Sequence, residues 1–237
     1  MKRIVAAASL AVLAAACAST EPAAPPAPTI AALGHQGMDP AAGGAPQQLV
    51  VFFHGYTQSG EAMRPLATAL AARLPNAAFV FDDAPLSAGN GHSWYNFRGD
   101  DSAATKKTAA ENASKLVSDL ANAYHIQPSN IVTVGFSQGG GVAVWGGTCL
   151  TNEVKAVVSL AGVVESACTK QGAAPAILVV HNDADPTVKT PMIEAGMKAM
   201  QSAGYAPSLK QVSGDKHWPA PDGIKAAEDF IVAQLGG

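Results

Sequence analysis

Short apolar runs alternate with segments of helical periodicity from residue 47 to the end of the chain. Residues 49–53 are continuously apolar, as in a strand that is buried on both faces of a sheet. Further strands are predicted at residues 77–81, 131–134, 154–160, 176–180 and 209–212. Helices are predicted at residues 61–74, 105–124, 138–145, 191–203 and 222–234. The alternation predicts an α/β fold, with a mostly parallel central sheet flanked by helices and no large cap domain.

The first residues of the chain have a different pattern. Met1-Lys2-Arg3 is basic, residues 4–16 form an apolar run, and small residues follow. A run of thirteen residues is too short to span a bilayer as a helix, and this layout is typical of a secretory signal peptide. We therefore expect residues 1–16 to be a signal peptide. The mature protein would then be exported to the periplasm or the outer cell envelope.

Cys17 follows this segment and indicates a lipid anchor. Residues 13–17 resemble a bacterial lipoprotein signal, in which the cysteine is lipidated after cleavage. A lipidated Cys17 would tether the protein to a membrane. The alternative is ordinary cleavage near Ala16 or Ala18, without a lipid.

Residues 17–46 are rich in Pro and Ala and are predicted to form a linker. Such a composition does not build a core and favours an extended spacer, as in a tether that lifts a domain off a membrane. Within this segment, residues 29–33 could add a first edge strand. The folded domain is predicted to occupy residues 47–237.

Composition and charge narrow the classes of function. The chain has 237 residues, of which 48% are apolar and 14% are charged, which fits one α/β domain with a sizeable core. The formal net charge is only −3 and the chain contains no long basic run, so nucleic acid is not an expected partner. No spacing of Cys and His predicts a metal site. Export would permit a disulfide between Cys149 and Cys168, and two buried free thiols are the alternative.

The strongest chemical signal lies where the predicted strand 131–134 runs into a helix. Residues 135–139 have the sequence Gly-Phe-Ser-Gln-Gly. In this strand–turn–helix context, Gly-x-Ser-x-Gly is typical of a nucleophile on a strained turn, where flanking Cβ atoms would clash. The turn presents a hydroxyl at a helix N-terminus, which favours developing negative charge. Ser137 is therefore the predicted nucleophile.

A serine nucleophile needs a histidine base, and an acid that lies between the two in the chain. Of the six histidines, only His181 and His217 follow Ser137. His181 directly ends a predicted strand and has no suitably placed acid before it. His217 lies in the loop after the last predicted strand and is the predicted base.

Two residues are candidates for the acid. Asp185 is favoured because Pro186 fixes the turn after it, whereas Asp183 is better explained as a turn former. The acid would fix the tautomer of the imidazole and stabilise the imidazolium.

Two backbone N–H groups are expected to form an oxyanion hole. One belongs to Gln138, the residue after the nucleophile, and the other comes from the loop after an early strand. Tyr56 in that loop is the candidate. His54 comes too early in the chain to be the base, and we interpret it as a structural hydrogen-bonding residue beneath the loop.

Four segments resemble a known family. They are residues 53–60 (Phe-His-Gly-Tyr-Thr-Gln-Ser-Gly), 94–96 (Trp-Tyr-Asn), 135–140 (Gly-Phe-Ser-Gln-Gly-Gly) and 181–188 (His-Asn-Asp-Ala-Asp-Pro-Thr-Val). In order and spacing they are similar to the carboxylesterase/phospholipase family of α/β-hydrolases, which includes small bacterial carboxylesterases and acyl-protein thioesterases. The resemblance implies an α/β-hydrolase fold, a Ser137-Asp185-His217 triad, an oxyanion hole of Tyr56 and Gln138, and ester cleavage without a cofactor.

Three positions depart from the family pattern. The family usually has Asp where Gln58 stands, often Asp where Asn96 stands, and usually Gly where Asn182 stands. None of them is a triad member. The export signal also argues against the role of a cytosolic depalmitoylase.

Two tryptophans are predicted to contact substrate. Trp94 lies in an aromatic, glycine-rich segment at residues 87–102, which we expect to form a flap beside the site, and Trp218 is adjacent to His217. For both, local packing at the rim of the site is the alternative.

The predicted function is therefore hydrolysis of small-molecule acyl esters with short to medium chains, through an acyl-enzyme intermediate. Lysophospholipid, thioester and polyester-type substrates are alternatives within the same chemistry. A catalytically silent binding lipoprotein of the cell envelope is the alternative outside it.

Overall fold

A seven-stranded sheet lies at the centre of the part of the chain that the structure describes. The structure is a computed structural model and describes residues 26–150 and 154–236. The strands of these ranges are β1 (Gly37–Met38), β2 (Gln48–Phe53), β3 (Ala77–Val80), β4 (Leu86–Ala88), β5 (Gly91–Ser93), β6 (Ile131–Phe136), β7 (Ala156–Leu160), β8 (Ala176–Asn182) and β9 (Ser208–Val212). The large sheet has the order β1-β3-β2-β6-β7-β8-β9, and β4 pairs with β5 in a separate hairpin. Only β1 pairs antiparallel in the large sheet.

Helices cover both faces of this sheet. In the described ranges they are α1 (Arg64–Ala71), α2 (Ser102–Tyr124), α3 (Gln138–Thr148), α4 (Thr190–Ser202) and α5 (Pro221–Leu235). The core is divided into two clusters, and Val50 and Val51 belong to different ones because successive side chains of a strand point to opposite faces. The helices α2, α3 and α4 contribute to one cluster, and α1 and α5 contribute to the other. Burial on both faces explains why the central strands are mostly apolar, with Thr133 in β6 and Ser159 in β7 among the buried polar exceptions.

The mostly parallel sheet between two layers of helices confirms the predicted fold class. No large cap domain is inserted between the elements of the described ranges. All six strands predicted for the sheet are present, and the differences are at their ends. β8, for example, continues two residues past the predicted end to Asn182.

The folded domain begins before residue 47, which is the start that the sequence pattern predicts. Ile30 is buried in the core, and β1 extends the edge of the sheet next to β3. A Cβ atom on Gly37 would lie 2.2 Å from the carbonyl oxygen of Phe79, so only glycine permits this approach. Residues 30–46 are thus part of the domain and not of a linker. The edge strand proposed at 29–33 is wrong, since Ala31–Leu33 is a 3₁₀ turn.

Two further segments differ from the sequence analysis. The helix predicted at 61–74 is divided into a 3₁₀ turn at Gly60–Met63 and the shorter helix α1, which has Pro65 in its first turn. The flap predicted at 87–102 contains β5 and most of β4, which form an ordered hairpin.

The two cysteines of the domain form a disulfide. It joins Cys149, directly after α3, to Cys168 in the segment before β8, with the Cα atoms 5.1 Å apart. Of the two alternatives that the sequence left open, the structure therefore contains the bonded pair.

The predicted signal peptide at residues 1–16 and the anchor residue Cys17 lie outside the described residues. Within the described ranges, each helix is too short or too polar to cross a bilayer.

Candidate active site

The turn at Ser137 joins the end of β6 to the start of α3. Its φ of 53° and ψ of −117° are a strained conformation for a residue with a side chain. Close backbone contacts enforce the turn: a Cβ on Gly135 would lie 1.9 Å from the carbonyl oxygen of Gly139, and one on Gly139 would lie 2.0 Å from that of Phe53. The glycines on both sides of Ser137 are thus required by packing, as the motif predicted.

Two backbone hydrogen bonds hold this turn in place. The N–H of Ser137 donates to the carbonyl of Leu160 at 2.9 Å, and the carbonyl of Ser137 accepts from the N–H of Val163 at 2.9 Å. The strained residue is therefore tied to β7 and to the segment that follows it. The hydroxyl is directed toward the loop after β9.

The structure brings Ser137, His217 and Asp185 into one hydrogen-bonded line. Nε2 of His217 lies 2.8 Å from Oγ of Ser137, and Nδ1 lies 2.8 Å from Oδ2 of Asp185. A carboxylate can only accept, so Nδ1–H donates to Asp185 and Nε2 is left to accept from the serine hydroxyl. This tautomer is the one that a general base requires.

Asp185 is held by the turn that follows β8. Its side chain is fully buried, and Oδ1 accepts hydrogen bonds from the N–H groups of Thr187 at 2.7 Å and Val188 at 3.0 Å. One oxygen thus fixes the carboxylate while the other faces His217. Asp183 instead accepts from the N–H of Gly214 at 3.0 Å, in the loop after β9, and takes no part in the contacts to His217.

The loop after β2 presents the backbone of Tyr56. Its N–H has no hydrogen-bond acceptor among the described residues. Gln138 is the first residue of α3, and the first N–H groups of a helix have no acceptor within the helix. Within the described ranges, both N–H groups predicted for an oxyanion hole are therefore without a backbone acceptor.

His54 supports that loop from below. Its ring is fully buried, Nδ1 donates to the carbonyl of Gly55 at 2.8 Å, and Nε2 accepts from the N–H of Ala84 at 3.0 Å. Burial lowers the pKa of His54, although the Gly55 carbonyl and Asp83 oppose that effect. The ring is thus a neutral structural bridge, in agreement with its interpretation from the sequence.

The β4–β5 hairpin braces the same loop from the side. The N–H of Thr57 donates to the carbonyl of His92 at 2.9 Å, and the N–H of His92 donates to the carbonyl of Gln58 at 2.8 Å. A Cβ on Gly91 would lie 2.3 Å from the carbonyl oxygen of Thr57, so the hairpin can approach only with glycine there. Sequence reasoning missed this support, and its only signal was the density of glycines at residues 89–99.

The side chain of Gln138 has a second function that the sequence did not reveal. It is fully buried. Its oxygen accepts from the N–H of Trp94 at 2.9 Å, and its nitrogen donates to the carbonyl of Tyr95 at 2.8 Å. Gln138 therefore ties the aromatic segment to the start of α3.

The structure corrects the role predicted for Trp94. This side chain is only 8% exposed, its Nε1–H donates to the carbonyl of His54 at 2.8 Å, and its ring packs on Phe53. Trp94 thus packs at the base of the loop, which is the alternative that the sequence left open. The indole is buried because it fills the space between β2 and the hairpin.

Trp218 is at the surface, next to the candidate base. It is 36% exposed and packs edge-on against Phe136, which also contacts the ring of His217. Together with Gln58, Ala62 and Pro65, these three side chains line a largely apolar depression of about 490 Å³. Trp218 thus remains the predicted substrate contact.

A second depression lies over the aromatic segment. It measures about 620 Å³ and is lined by Tyr56, Asn96, Phe97 and Arg98. The rings of Tyr56 and Phe97 meet edge to face, and both are exposed. The candidate site is therefore open, with an apolar wall beside His217 and an aromatic wall beside Tyr56.

Comparisons with known proteins identify a matching family and similar structures. The family model described as phospholipase/carboxylesterase matches residues 40–235. Among solved structures, esterase PE8 is 26% identical over 85% of this chain and 98% of its own, with a TM-score of 0.73. SOBER1 of Arabidopsis thaliana is 21% identical over 79% of this chain and 99% of its own, with a TM-score of 0.68.

A third solved structure, the carboxylesterase of Bacillus cereus, is 13% identical over 84% of this chain and 93% of its own, with a TM-score of 0.67. At these identities, SOBER1 and the Bacillus enzyme show a shared fold. No curated protein is similar enough in sequence to match the chain.

Proposed function

The chain belongs to the phospholipase/carboxylesterase family of hydrolases, and we propose that it is a serine esterase that cleaves carboxylic esters through an acyl-enzyme on Ser137. The observation that carries the proposal is the line of hydrogen bonds from Ser137 Oγ through His217 to Asp185, with 2.8 Å at each step. A nucleophile, a base and an orienting acid within hydrogen-bond distance are the signature of this chemistry. The resemblance to esterase PE8 supports ester hydrolysis.

In the first step, Oγ of Ser137 forms a bond to the ester carbonyl carbon while Nε2 of His217 takes the hydroxyl proton. The negative charge moves to the carbonyl oxygen, where the N–H groups of Tyr56 and Gln138 would receive it. The partial positive charge at the N-terminus of α3 adds to this stabilisation.

The intermediate then collapses. The bond from carbon to the leaving oxygen breaks, and His217 returns its proton to the departing alcohol. Water repeats the sequence on the acyl-enzyme, with His217 as base, and releases a carboxylic acid together with the regenerated Ser137 hydroxyl. Asp185 stabilises the imidazolium in both halves and does not itself take up the proton.

We propose that the substrates are esters with short to medium acyl chains, and two features of the site support this choice. The depression beside His217 is open and apolar and measures about 490 Å³, which accommodates a short to medium acyl chain. The aromatic wall at Tyr56 and Phe97 would accept a flat or apolar group.

Hydrolysis of a p-nitrophenyl ester series from acetate to palmitate tests the proposal. We expect the highest kcat/KM at short chains, and a loss of at least about 10³-fold in Ser137→Ala. Ser129→Ala is the matched control. Ser129 is exposed and lies just before β6 begins, at the end of the strand away from Ser137, so this variant should have the activity of the native protein.

Other outcomes would change the assignment. A maximum at long chains would favour a lipid or thioester substrate. A folded protein without activity and without labelling by a fluorophosphonate would contradict the triad and favour a silent binding protein.

We also propose that residues 1–16 direct export and that Cys17 carries a lipid. The basic and apolar pattern of residues 1–16 and the Cys that follows support both steps. Metabolic labelling with a radioactive fatty acid in a bacterial host tests the anchor, and Cys17→Ser should abolish the label. An unlabelled, exported native protein would show ordinary cleavage instead.

A further inference from the structure

The side chain of Asn182 makes three hydrogen bonds to the backbone around His217. Its Nδ2 group donates to the carbonyl of Lys216 at 2.7 Å and to the carbonyl of Trp218 at 3.0 Å. Its Oδ1 accepts from the N–H of Ala220 at 2.9 Å. One amide thus holds the residues immediately before and after the candidate base.

The identity of the side chain is dictated by what it meets. Two carbonyl oxygens need two donors on one atom, and one N–H needs an acceptor on the other. An amide supplies both, whereas a carboxylate would set an oxygen against the two carbonyls of Lys216 and Trp218. The same partners fix which end of the amide is nitrogen.

The position of Asn182 links the base loop to the acid turn. It is the last residue of β8, and its own carbonyl accepts from the N–H of Asp185 at 3.2 Å. Its side chain is almost fully buried. Asp185 and His217 are 32 residues apart in sequence, and Asn182 contacts the backbone of both segments.

The neighbouring chain is shaped around this amide. A Cβ on Gly214 would lie 2.7 Å from Cγ of Asn182, so the loop after β9 can pass over the side chain only with glycine at that place. Asn182 is also the position where the sequence departs from the Gly that is usual in the family.

We propose that Asn182 is a positioning residue that holds His217 in register with Ser137 and Asp185. The inference rests on the proposed function for its kinetic consequence. In the reaction, Nε2 of His217 must reach first the serine oxygen and then the leaving oxygen. A shift of about 1 Å at such a point costs on the order of 10²-fold in rate.

Two variants test the proposal, and each removes the donors in a different way. Asn182→Asp keeps the size and the acceptor for Ala220 but loses both donors, and Asn182→Gly removes the side chain without adding charge. Asn130→Asp, in the exposed 3₁₀ turn before β6, is the matched control at the opposite end of the sheet.

We expect both Asn182 variants to lower kcat for a short p-nitrophenyl ester by about 10- to 100-fold, with KM changed by less than about threefold. The low-field proton resonance of the His217–Asp185 hydrogen bond should broaden or disappear in both variants. Circular dichroism and thermal unfolding identify the temperature at which each variant is folded, and the assays are run there. Asn130→Asp should retain the native kcat and the native resonance.

Two results would overturn the role of Asn182. One is a folded variant with native kcat, and the other is a fall in melting temperature with kcat and the resonance unchanged, which would show a merely structural part. If the native protein itself hydrolyses no ester, the proposed function fails, and the resonance alone decides whether Asn182 holds His217.

Discussion

The side-chain oxygen of Gln58 accepts a hydrogen bond from the backbone N–H of Gly55 at 2.9 Å. This contact closes the loop that carries the candidate oxyanion donor Tyr56. The family usually has Asp at this position, so the chain keeps an acceptor there but without a charge. The acceptor, and not the charge, is therefore the property that we expect the loop to need.

Replacing Gln58 tests the closure of the loop. Gln58→Met removes the acceptor at nearly constant size and should lower kcat by about 10- to 10²-fold, because the Tyr56 N–H would no longer be preorganised. Gln58→Glu retains an oxygen for Gly55 and should stay within about threefold of the native kcat. Steady-state kinetics on a short ester measure both, and equal losses in the two variants would argue against the role of the acceptor.

Substituting Gly139 tests the packing of the turn at Ser137. The Cβ of Gly139→Ala would lie 2.0 Å from the carbonyl of Phe53, so the helix α3 must shift away from β2. Overpacking of this kind costs about 1–3 kcal/mol, occasionally more, and the displaced turn should also slow ester cleavage. Urea unfolding measures the loss of stability.

Gly172→Ala is the control for that substitution. A Cβ at Gly172 would meet no atom of the described residues within 4 Å, and the backbone of Gly172 does not have a positive φ. We expect native stability and native activity. An equal loss in the two variants would show that the contact at Phe53 is not the cause.

The sequence predicted the central strands and the nucleophile turn because their determinants are local. Residues 49–53 are apolar at every position, and the turn at Ser137 is specified by the five consecutive residues 135–139. The hairpin β4–β5 and the edge strand β1 were not predictable in this way. They depend on Gly91 and Gly37, each of which allows a distant backbone to approach.

The candidate triad was predictable and its support was not. The motif at residues 135–139 predicted Ser137, and chain order and loop positions predicted Asp185 and His217. The hydrogen bonds of Asn182 join residues 34–38 positions apart, and no periodicity in the sequence reports them. Trp94 was misassigned for a related reason, since an aromatic residue near a site looks the same in sequence whether it faces substrate or core.

Removal of the disulfide should weaken the domain without removing its chemistry. The bridge between Cys149 and Cys168 spans 19 positions, and a loop of that size contributes roughly 3 kcal/mol in the chain-entropy model. We expect the double variant Cys149→Ser/Cys168→Ser to unfold at lower urea while kcat at 25 °C stays near native. Addition of a thiol reductant should lower the native midpoint but leave that of the variant unchanged.

We expect the free energy of unfolding to fall in mild acid because the domain contains buried histidines. Burial lowers the pKa of His54, and of His181, below the ordinary 6.5 in the folded state. The unfolded chain therefore binds these protons first as the pH falls. Their contribution to stability is fully present above pH 6.5 and is lost progressively below it.

Urea unfolding at pH 7.5 and pH 5 tests this linkage. His54→Asn removes one titrating group and should reduce the difference in unfolding free energy between the two pH values. His125→Asn is the control, because His125 is exposed at the C-terminal end of α2 in a left-handed conformation that Asn tolerates. An unchanged pH difference in His54→Asn would contradict the assignment of His54 as a buried neutral ring.

Trp218 and Trp94 should respond to substitution in opposite ways. Trp218 is part of the exposed wall beside His217, so Trp218→Ala should raise KM for butyrate or hexanoate esters by about three- to tenfold, with unfolding little changed. Trp94 is buried, and its Nε1–H donates to the backbone carbonyl of His54. Trp94→Phe should therefore lower the free energy of unfolding by about 1–3 kcal/mol, with a smaller effect on KM. Kinetics across the ester series and urea unfolding, measured on both variants, separate the two roles. A larger KM effect from Trp94→Phe than from Trp218→Ala would place the substrate on the hairpin side of Ser137 instead.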